Sequence, residues 1–366
     1  MSSASSIKSR ALELGFEKVG IARAGEAPRG EFLREWLGRE YHGGMDYMAK
    51  APERRADPAQ VFPGAKSIVC VAKNYQSPGV HSEDPKIGRI SRYAWGDDYH
   101  EVMLAKLKEL ERHIESLGGR ARAAVDTNAV LEKPWAQEAG LGWQGKHSNL
   151  ISRDMGSWLF LGEVLTDLEL EPDAPHREDY CGSCTSCIDV CPTRAIVAPY
   201  VVDGRRCIAY LTIENRGAIP REMRPLIGNL IFGCDLCQDV CPWNKFSQVT
   251  PEREFYAREG LQTPVLSELM GISREEFTRR FRKSPVKRAK YAGFLRNVAV
   301  ALGNSGDPGA VPALENALAH EEALVRSHAA WALGRLAARG PLRLRREVEK
   351  DADVTAEIDA ALRGDA

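Results

Sequence analysis

The sequence predicts an α+β multidomain protein, with an α/β domain first, a small cysteine-bearing domain in the middle and stacked helices at the C-terminus. Three observations carry that prediction. Strand-like and helix-like patterns alternate over residues 1 to 170, eight of nine cysteines fall within the sixty-one residues from Cys181 to Cys241, and a helical pattern repeats with a shift of thirty-one residues near the end. The chain of 366 residues is 43% hydrophobic and 28% charged, the composition of a globular protein of two or three domains. No run approaches the roughly eighteen apolar residues of a membrane span. The opening "MSSASSIKSRALELGFEKVG" turns amphipathic without an apolar signal core, so a cytoplasmic protein is expected.

In chain order, an amphipathic helix over about Ser5 to Leu14 leads to the strand-like "KVGIARA". A Pro-Gly turn at Pro63 precedes "SIVCVAKNY", an apolar run rich in β-branched residues that reads as a buried strand. Cys70 lies in that run and is expected to pack, not react. "HEVMLAKLKELERHIESLG" has apolar residues at helical spacing and stops at Gly118 and Gly119; "RARAAVDTNAV" then reads as a strand running into a loop. Such alternation implies an α/β or α+β layer domain.

The densest polar stretch of that domain is "AVDTNAVLEKPWAQEAGLGWQGKHSNLISRDMGSWLFLGEVLTD". Its glycines Gly140, Gly142 and Gly145 lack the strand, spacing and helix of a dinucleotide fold, so no nicotinamide site is indicated. Asp126, at a strand end before Thr127 and Asn128, has two local readings. It is a turn or cap residue, or it lines a cofactor pocket, where burial would raise its pKa and let it protonate a leaving oxygen. Lys146 and His147 are equally divided between surface or loop roles and a site.

The cysteines are more decisive. Without a secretion signal, C-x2-C spacings favour metal over disulfides. The order C-x2-C-x2-C-x3-C-P from Cys181 to Pro192 is the bacterial ferredoxin run for a 4Fe-4S cluster, which argues against structural zinc. In two-cluster ferredoxins the fourth cysteine of the run serves the other cluster. Cys181, Cys184 and Cys187 therefore take Cys241 from the second motif, and Cys191 joins Cys234, Cys237 and Cys207. Two clusters mean electron transfer.

Beyond them, Ala301, Leu302 and Gly303 align with Ala332, Leu333 and Gly334, the signature of a short helical solenoid of HEAT type. Two repeats bury too little alone and must lean on the rest. Residues 277 to 306 carry eight Lys or Arg and no acid, with Phe281, Tyr291 and Phe294 interleaved. That composition fits a polyanion surface.

Taken together, "GRISRYAWGDDYH", "VDTNAVLEKPWAQEAGLGWQGKHSNLISRDMGSWLFLGEVLTD", "CGSCTSCIDVCPTRAI", "RRCIAYLTIE", "GCDLCQDVCPWNKF" and "KRAKYAGFLRNVAVALGN" resemble, in matching order, the bacterial epoxyqueuosine reductase family. The resemblance spans about Gly15 to Leu336. It implies a cobalamin-dependent enzyme that removes the epoxide oxygen of epoxyqueuosine in a tRNA anticodon, leaving an alkene, with electrons relayed by two 4Fe-4S clusters from an external low-potential donor.

It further implies a cobalamin-binding catalytic α/β domain over 1–172, a ferredoxin-like two-cluster domain over 173–250, and a tRNA-binding helical region with HEAT-like repeats over 251–366. The "AVDTN" motif makes Asp126 the proton donor. Arg55, Tyr93, Trp143, Lys146, Asn149, Ser157, Asp235 and Leu236 are candidate cobalamin contacts, and Lys287, Arg288, Lys290 and Arg296 candidate phosphate contacts. His147 is a poor choice as a cobalt ligand. No membrane association is expected, and a monomer suffices. The competing readings are another cobalamin-dependent reductase of reductive-dehalogenase type, which would not need the basic patch, and a non-enzymatic electron carrier, which would not need residues 1 to 170.

Overall fold

A computed structural model describes residues 2–365. Its N-terminal half is built from α1 (Ser3–Glu13), β1 (Lys18–Arg23), β2 (Ser67–Asn74), α2 (Tyr99–Ser116), β3 (Ala121–Ala124), α3 (Glu132–Glu138) and β4 (Leu159–Thr166). The four strands form one sheet in the order β1-β2-β4-β3. Every pairing is antiparallel, which places this layer on the α+β side of the two arrangements that alternation allows.

Because side chains alternate across a strand, β2 presents Val69 and Val71 to one face and Ile68 and Cys70 to the other. Both faces are covered, and all eight β2 residues are buried. On one side Met103, Leu107, Leu110 and Ile114 form the inner stripe of α2 and pack with Ile7 and Ala11 of α1. On the other, Trp135 and Ala136 of α3 pack over Ile68 and Leu165. Each fully buried Leu or Ile contributes about 1.5–3 kcal/mol. Cys70 is 0% exposed within this layer, as a packing residue should be.

Residues 87 to 95 leave that layer. Arg89–Ile90 pairs in parallel with Leu230–Phe232, and Ile90, Ala94 and Trp95 share a core with the C-terminal helices. Gly96 is required there: a Cβ would stand 2.2 Å from the Glu254 carbonyl oxygen.

The helical part stacks α4 (Tyr291–Ser305), α5 (Ala323–Arg335) and α6 (Ala352–Arg363). The repeated Ala-Leu-Gly has a steric basis, since a Cβ on Gly303 would meet the Ala332 Cα at 2.8 Å. Phe281, Tyr291 and Phe294, expected among the charges of a polyanion surface, are instead core, with Phe281 and Phe294 0% exposed. Their spacing with the charges is that of a half-buried helical segment. Among the described residues no helix is long and apolar enough to cross a membrane.

Candidate active site

A cavity of about 760 Å³ lies where the sheet, the cysteine loops and the segment Tyr47–Arg55 converge. Its wall is largely aromatic and aliphatic, with a few polar groups turned inward, the general makeup of a site for an organic ligand. Three buried polar atoms on residues of that wall, Arg55 Nε, Gln144 Oε1 and His147 Nε2, have no hydrogen-bond partner among the described residues. Buried polar atoms are seldom left unpaired, so the wall is suited to a large ligand carrying its own polar groups.

Asp126 stands at this cavity on the turn that follows β3, with a left-handed backbone (φ 43°). The turn is held by the Asp126 N–H, which donates to Glu132 Oε1 at the start of α3. Asp126 Oδ2 accepts from the Tyr99 hydroxyl at 2.9 Å and meets His100 Nε2 at 3.1 Å. His100 Nδ1 in turn faces Asp98 Oδ1 at 2.7 Å. The imidazole thus bridges two carboxylates. Asp98 also caps α2, which is why the two side chains after it point toward the end of β3.

The electrostatics correct one expectation. Burial pushes the Asp126 carboxyl up, but hydrogen bonds from His100 and Tyr99, with the charges of His100 and Lys133, outweigh it and hold the carboxyl below its ordinary value. Burial alone would lower His100; its bonds to Asp126 and Asp98 carry it up to about 9. At neutral pH the proton of this pair therefore resides on the imidazole. Two neighbouring acids run the other way. Burial and the Asp126 charge push Glu132 up to about 8. Glu163, 0% exposed with both carboxylate oxygens unpartnered, is pushed well up by burial and by the Glu132 and Asp126 charges.

The thiols fall into two groups of four. Cys191, Cys207, Cys234 and Cys237 border the large cavity, whereas Cys181, Cys184, Cys187 and Cys241 line a separate hollow of about 300 Å³. Among the described residues no three ligating side chains converge tightly enough for a single metal ion. Four thiols around a hollow suit a cluster, which spreads its ligands more widely than one ion does. The Ala195 N–H donates to Cys191 Sγ at 3.2 Å, the kind of contact that tunes an iron–sulfur centre.

Of the proposed cobalamin contacts, Arg55, Tyr93, Asn149, Ser157 and Leu236 lie on the cavity wall. Three others do not. Trp143 is 1% exposed and enclosed by His176, Tyr180 and Trp243, against the other hollow. Lys146 donates to the carbonyls of Gly182 (2.6 Å) and Cys184 (2.9 Å), which fixes the first cysteine loop. The buried Asp235 accepts from Ser91 Oγ and from the Arg92 N–H, bracing residues 91–92 against the second cysteine loop.

Among the expected phosphate contacts, Lys287 and Lys290 are exposed. Arg288 is paired with Glu214 at 2.8 Å and lies over the Tyr47 ring at the cavity's edge. Arg296 is corrected outright. It is 0% exposed, its guanidinium bound to the carbonyls of Asn215, Gly217 and Leu211.

Sequence reasoning passed over Tyr47, Tyr99, His100, Glu132 and Lys133, all near Asp126. The available signal was "GDDYH", an Asp cap followed by two polar aromatic residues, but a helix start carries no sign of what its first turn faces. His147, on the wall of both hollows, is held near 4 by burial and by the Lys133 charge, and so is neutral.

Comparison with known proteins adds the following. Residues 55–127 match the family described as epoxyqueuosine reductase QueG, DUF1730; residues 180–244 match the 4Fe-4S double cluster binding domain; and residues 292–358 match HEAT repeats. The chain is 45% identical over 339 residues to the epoxyqueuosine reductase of Escherichia coli (strain K12), covering 90% of this chain and 88% of that protein. It is 44% identical over 341 residues to that of Pseudomonas aeruginosa, covering 91% and 94%. A crystal structure of epoxyqueuosine reductase with a tRNA-Tyr epoxyqueuosine-modified stem loop superposes with a TM-score of 0.91 at 32% identity, covering 98% of this chain and 97% of the other. The Streptococcus thermophilus enzyme gives 0.89 at 30% identity, covering 99% of both.

Proposed function

The chain belongs to the epoxyqueuosine reductase family: it is an oxidoreductase that reduces epoxyqueuosine in tRNA to queuosine, and we propose that it does so in the large cavity, with Asp126 delivering the proton. The observation that carries this reading is the position of that cavity, which has four thiols on one side and the Asp126–His100 pair on the other. Removing an epoxide oxygen as water consumes two electrons and two protons. A cluster held by the inner thiols would relay the first from an external donor, and the acids supply the second.

The family works with cobalamin and two 4Fe-4S clusters, and the wall residues Arg55, Tyr93, Asn149, Ser157 and Leu236 would hold the corrinoid. Bound there, cobalamin supplies a strongly reducing cobalt centre that electrons from the clusters can charge. Cys191, Cys207, Cys234 and Cys237 would hold the inner cluster and Cys181, Cys184, Cys187 and Cys241 the outer one.

The chain's own residues handle the proton. Asp126 faces the cavity with its side chain 58% exposed, so a ligand seated there strips water from the carboxyl and shifts the shared proton from His100 toward it. A carboxylic acid can then protonate the departing oxygen, which would be costly to release as an alkoxide in a dry site. His100, aligned by Asp98, refills Asp126. Glu132, protonated at neutral pH, holds the Asp126 turn and is placed to supply the second proton.

On the substrate side, residues 251–366 present Lys287 and Lys290 to the anticodon stem, with Arg288 at the cavity's edge. The N-terminal region, 1–172, holds the corrinoid and 173–250 the clusters. The enzyme acts as a cytoplasmic monomer, where its tRNA is found, and draws on an external low-potential donor.

The test is anaerobic. The protein is reconstituted with iron, sulfide and cobalamin, given a chemical reductant and epoxyqueuosine-containing tRNA, and the nucleosides are analysed by mass spectrometry. Queuosine that forms only with cobalamin present supports the reading. No conversion by a fully loaded protein overturns it.

A further inference from the structure

The two thiol sets differ in what can reach them. The inner set opens onto the cavity that the substrate must enter. The outer set borders a hollow whose wall includes Tyr180, Trp243, Lys245 and Phe246. Tyr180 is 37% exposed and Phe246 42% exposed, and Trp243 lies within 6 Å of both rings, with centroids 5.9 and 5.7 Å away. The same loop exposes Val240 (37%) and Val249 (52%). Exposed apolar side chains clustered on one loop mark a contact surface and are not incidental.

The wall of the hollow carries Lys245 and no carboxyl group. Arg153 lies over the Tyr180 ring at 5.4 Å and Lys245 over the Phe246 ring at 4.8 Å. Neither is in an ion pair among the described residues. Of the nearby acids, Asp154 is paired with Lys18 at 2.7 Å, while Asp179 accepts from the Tyr200 hydroxyl and the Cys181 N–H and Asp189 from the Thr185 hydroxyl; these two keep their charge, but none of the three lines the hollow. Only Glu178 on this stretch lacks a side-chain partner among the described residues.

We propose that this aromatic, cation-bearing rim is the docking site for a small acidic one-electron carrier protein, which charges the outer cluster. The inference rests on reading the thiol sets as clusters in a reductase. In each encounter the carrier loses one electron and the outer cluster gains one, with no bond or proton moved. Two encounters serve each oxygen removed. An apolar patch with two cations set over its rings, small enough for rapid release, suits a transient redox contact with an acidic partner.

The test uses the holoenzyme and, as the probe carrier, an acidic plant-type ferredoxin kept reduced by its reductase. Cluster reduction is followed by visible bleaching in a stopped-flow instrument, with dithionite as the parallel small reductant. Arg153→Glu should slow ferredoxin-driven bleaching by about ten-fold and flatten its dependence on ionic strength. Val249→Ser should slow it several-fold. Dithionite-driven bleaching and queuosine formation should be the same in all three proteins.

Equal ferredoxin rates in variants and wild type overturn the proposal, as does a wild-type protein that dithionite bleaches and ferredoxin does not. Bleaching by ferredoxin without queuosine formation by either reductant would instead sink the functional reading while leaving the docking site standing.

Discussion

Cys181, Cys184, Cys187 and Cys241 sit against Tyr180 and Trp243 near the surface, whereas Cys191, Cys207, Cys234 and Cys237 open onto a cavity edged by Asp126 and Glu132. The ligand chemistry is the same and the surroundings are opposite. On the outer side the neighbours are exposed rings and unpaired cations, which can receive a partner but not do proton chemistry. On the inner side they are a paired imidazole and three carboxyl groups in mixed protonation states, which can. The residue type decides what is held; the neighbours decide whether electrons enter or leave there.

The largest effect that could break this contrast is on the ligands themselves. Cys237→Ala should cut iron from about eight to about four atoms per chain and abolish queuosine formation with any reductant. Cys184→Ala should lose the same iron yet keep part of its dithionite-driven turnover, because a small reductant can reach the inner cluster directly. Equal loss in both variants would erase the distinction between outer and inner.

Asp126→Asn should come next, lowering turnover by about 10²–10⁴-fold while leaving the iron content and corrinoid binding in place. If turnover survived, the acid would have to be sought in Glu132.

His100→Gln sharpens the inner side through pH. The wild-type rate should fall as pH rises through about 8 and about 9, where Glu132 and then the imidazole lose their protons, and the variant should be slower by about ten-fold with the upper of these limbs gone. Because the folded pKa is raised over an unfolded value of about 6.5, the stability contributed by the His100 pair is full below that value. It is lost as pH rises through about 9, so NMR titration of the imidazole should report the same midpoint.

The smallest change belongs to the RNA face. Lys287→Ala or Lys290→Ala should weaken tRNA binding a few-fold and reduce its salt slope by about one, without altering cluster reduction. Arg296→Ala should act differently, lowering stability by leaving the carbonyls of Asn215, Gly217 and Leu211 unpaired, a loss that thermal unfolding would report.

What could be read in advance divides along the same line. The run of cysteines was legible because ligand spacing is local, and the stripe Met103, Leu107, Leu110, Ile114 because a helix must bury one face. The thirty-one-residue repeat was legible because Gly303 has to admit Ala332. The errors have one source. Trp143, Lys146 and Asp235 carry site-like chemistry, yet each is consumed by a neighbour distant in sequence: an aromatic cage, the carbonyls of the first cysteine loop, and residues 91–92. Arg296 looked like a phosphate ligand because a charge count cannot tell a guanidinium facing solvent from one satisfied by carbonyls inside.

By itself, then, the sequence determined that a two-cluster domain precedes helical repeats and that thiols are the ligands of both clusters, and its resemblance supplied the role proposed for Asp126. Those properties depend on residues within a few positions of one another. Only the tertiary structure decided which thiols face the cavity, which acid holds a proton and which cations are free. Each of those depends on burial and on partners brought from elsewhere, as when the turn after β3 sets Asp126 beside the first turn of α2 and leaves the proton on His100.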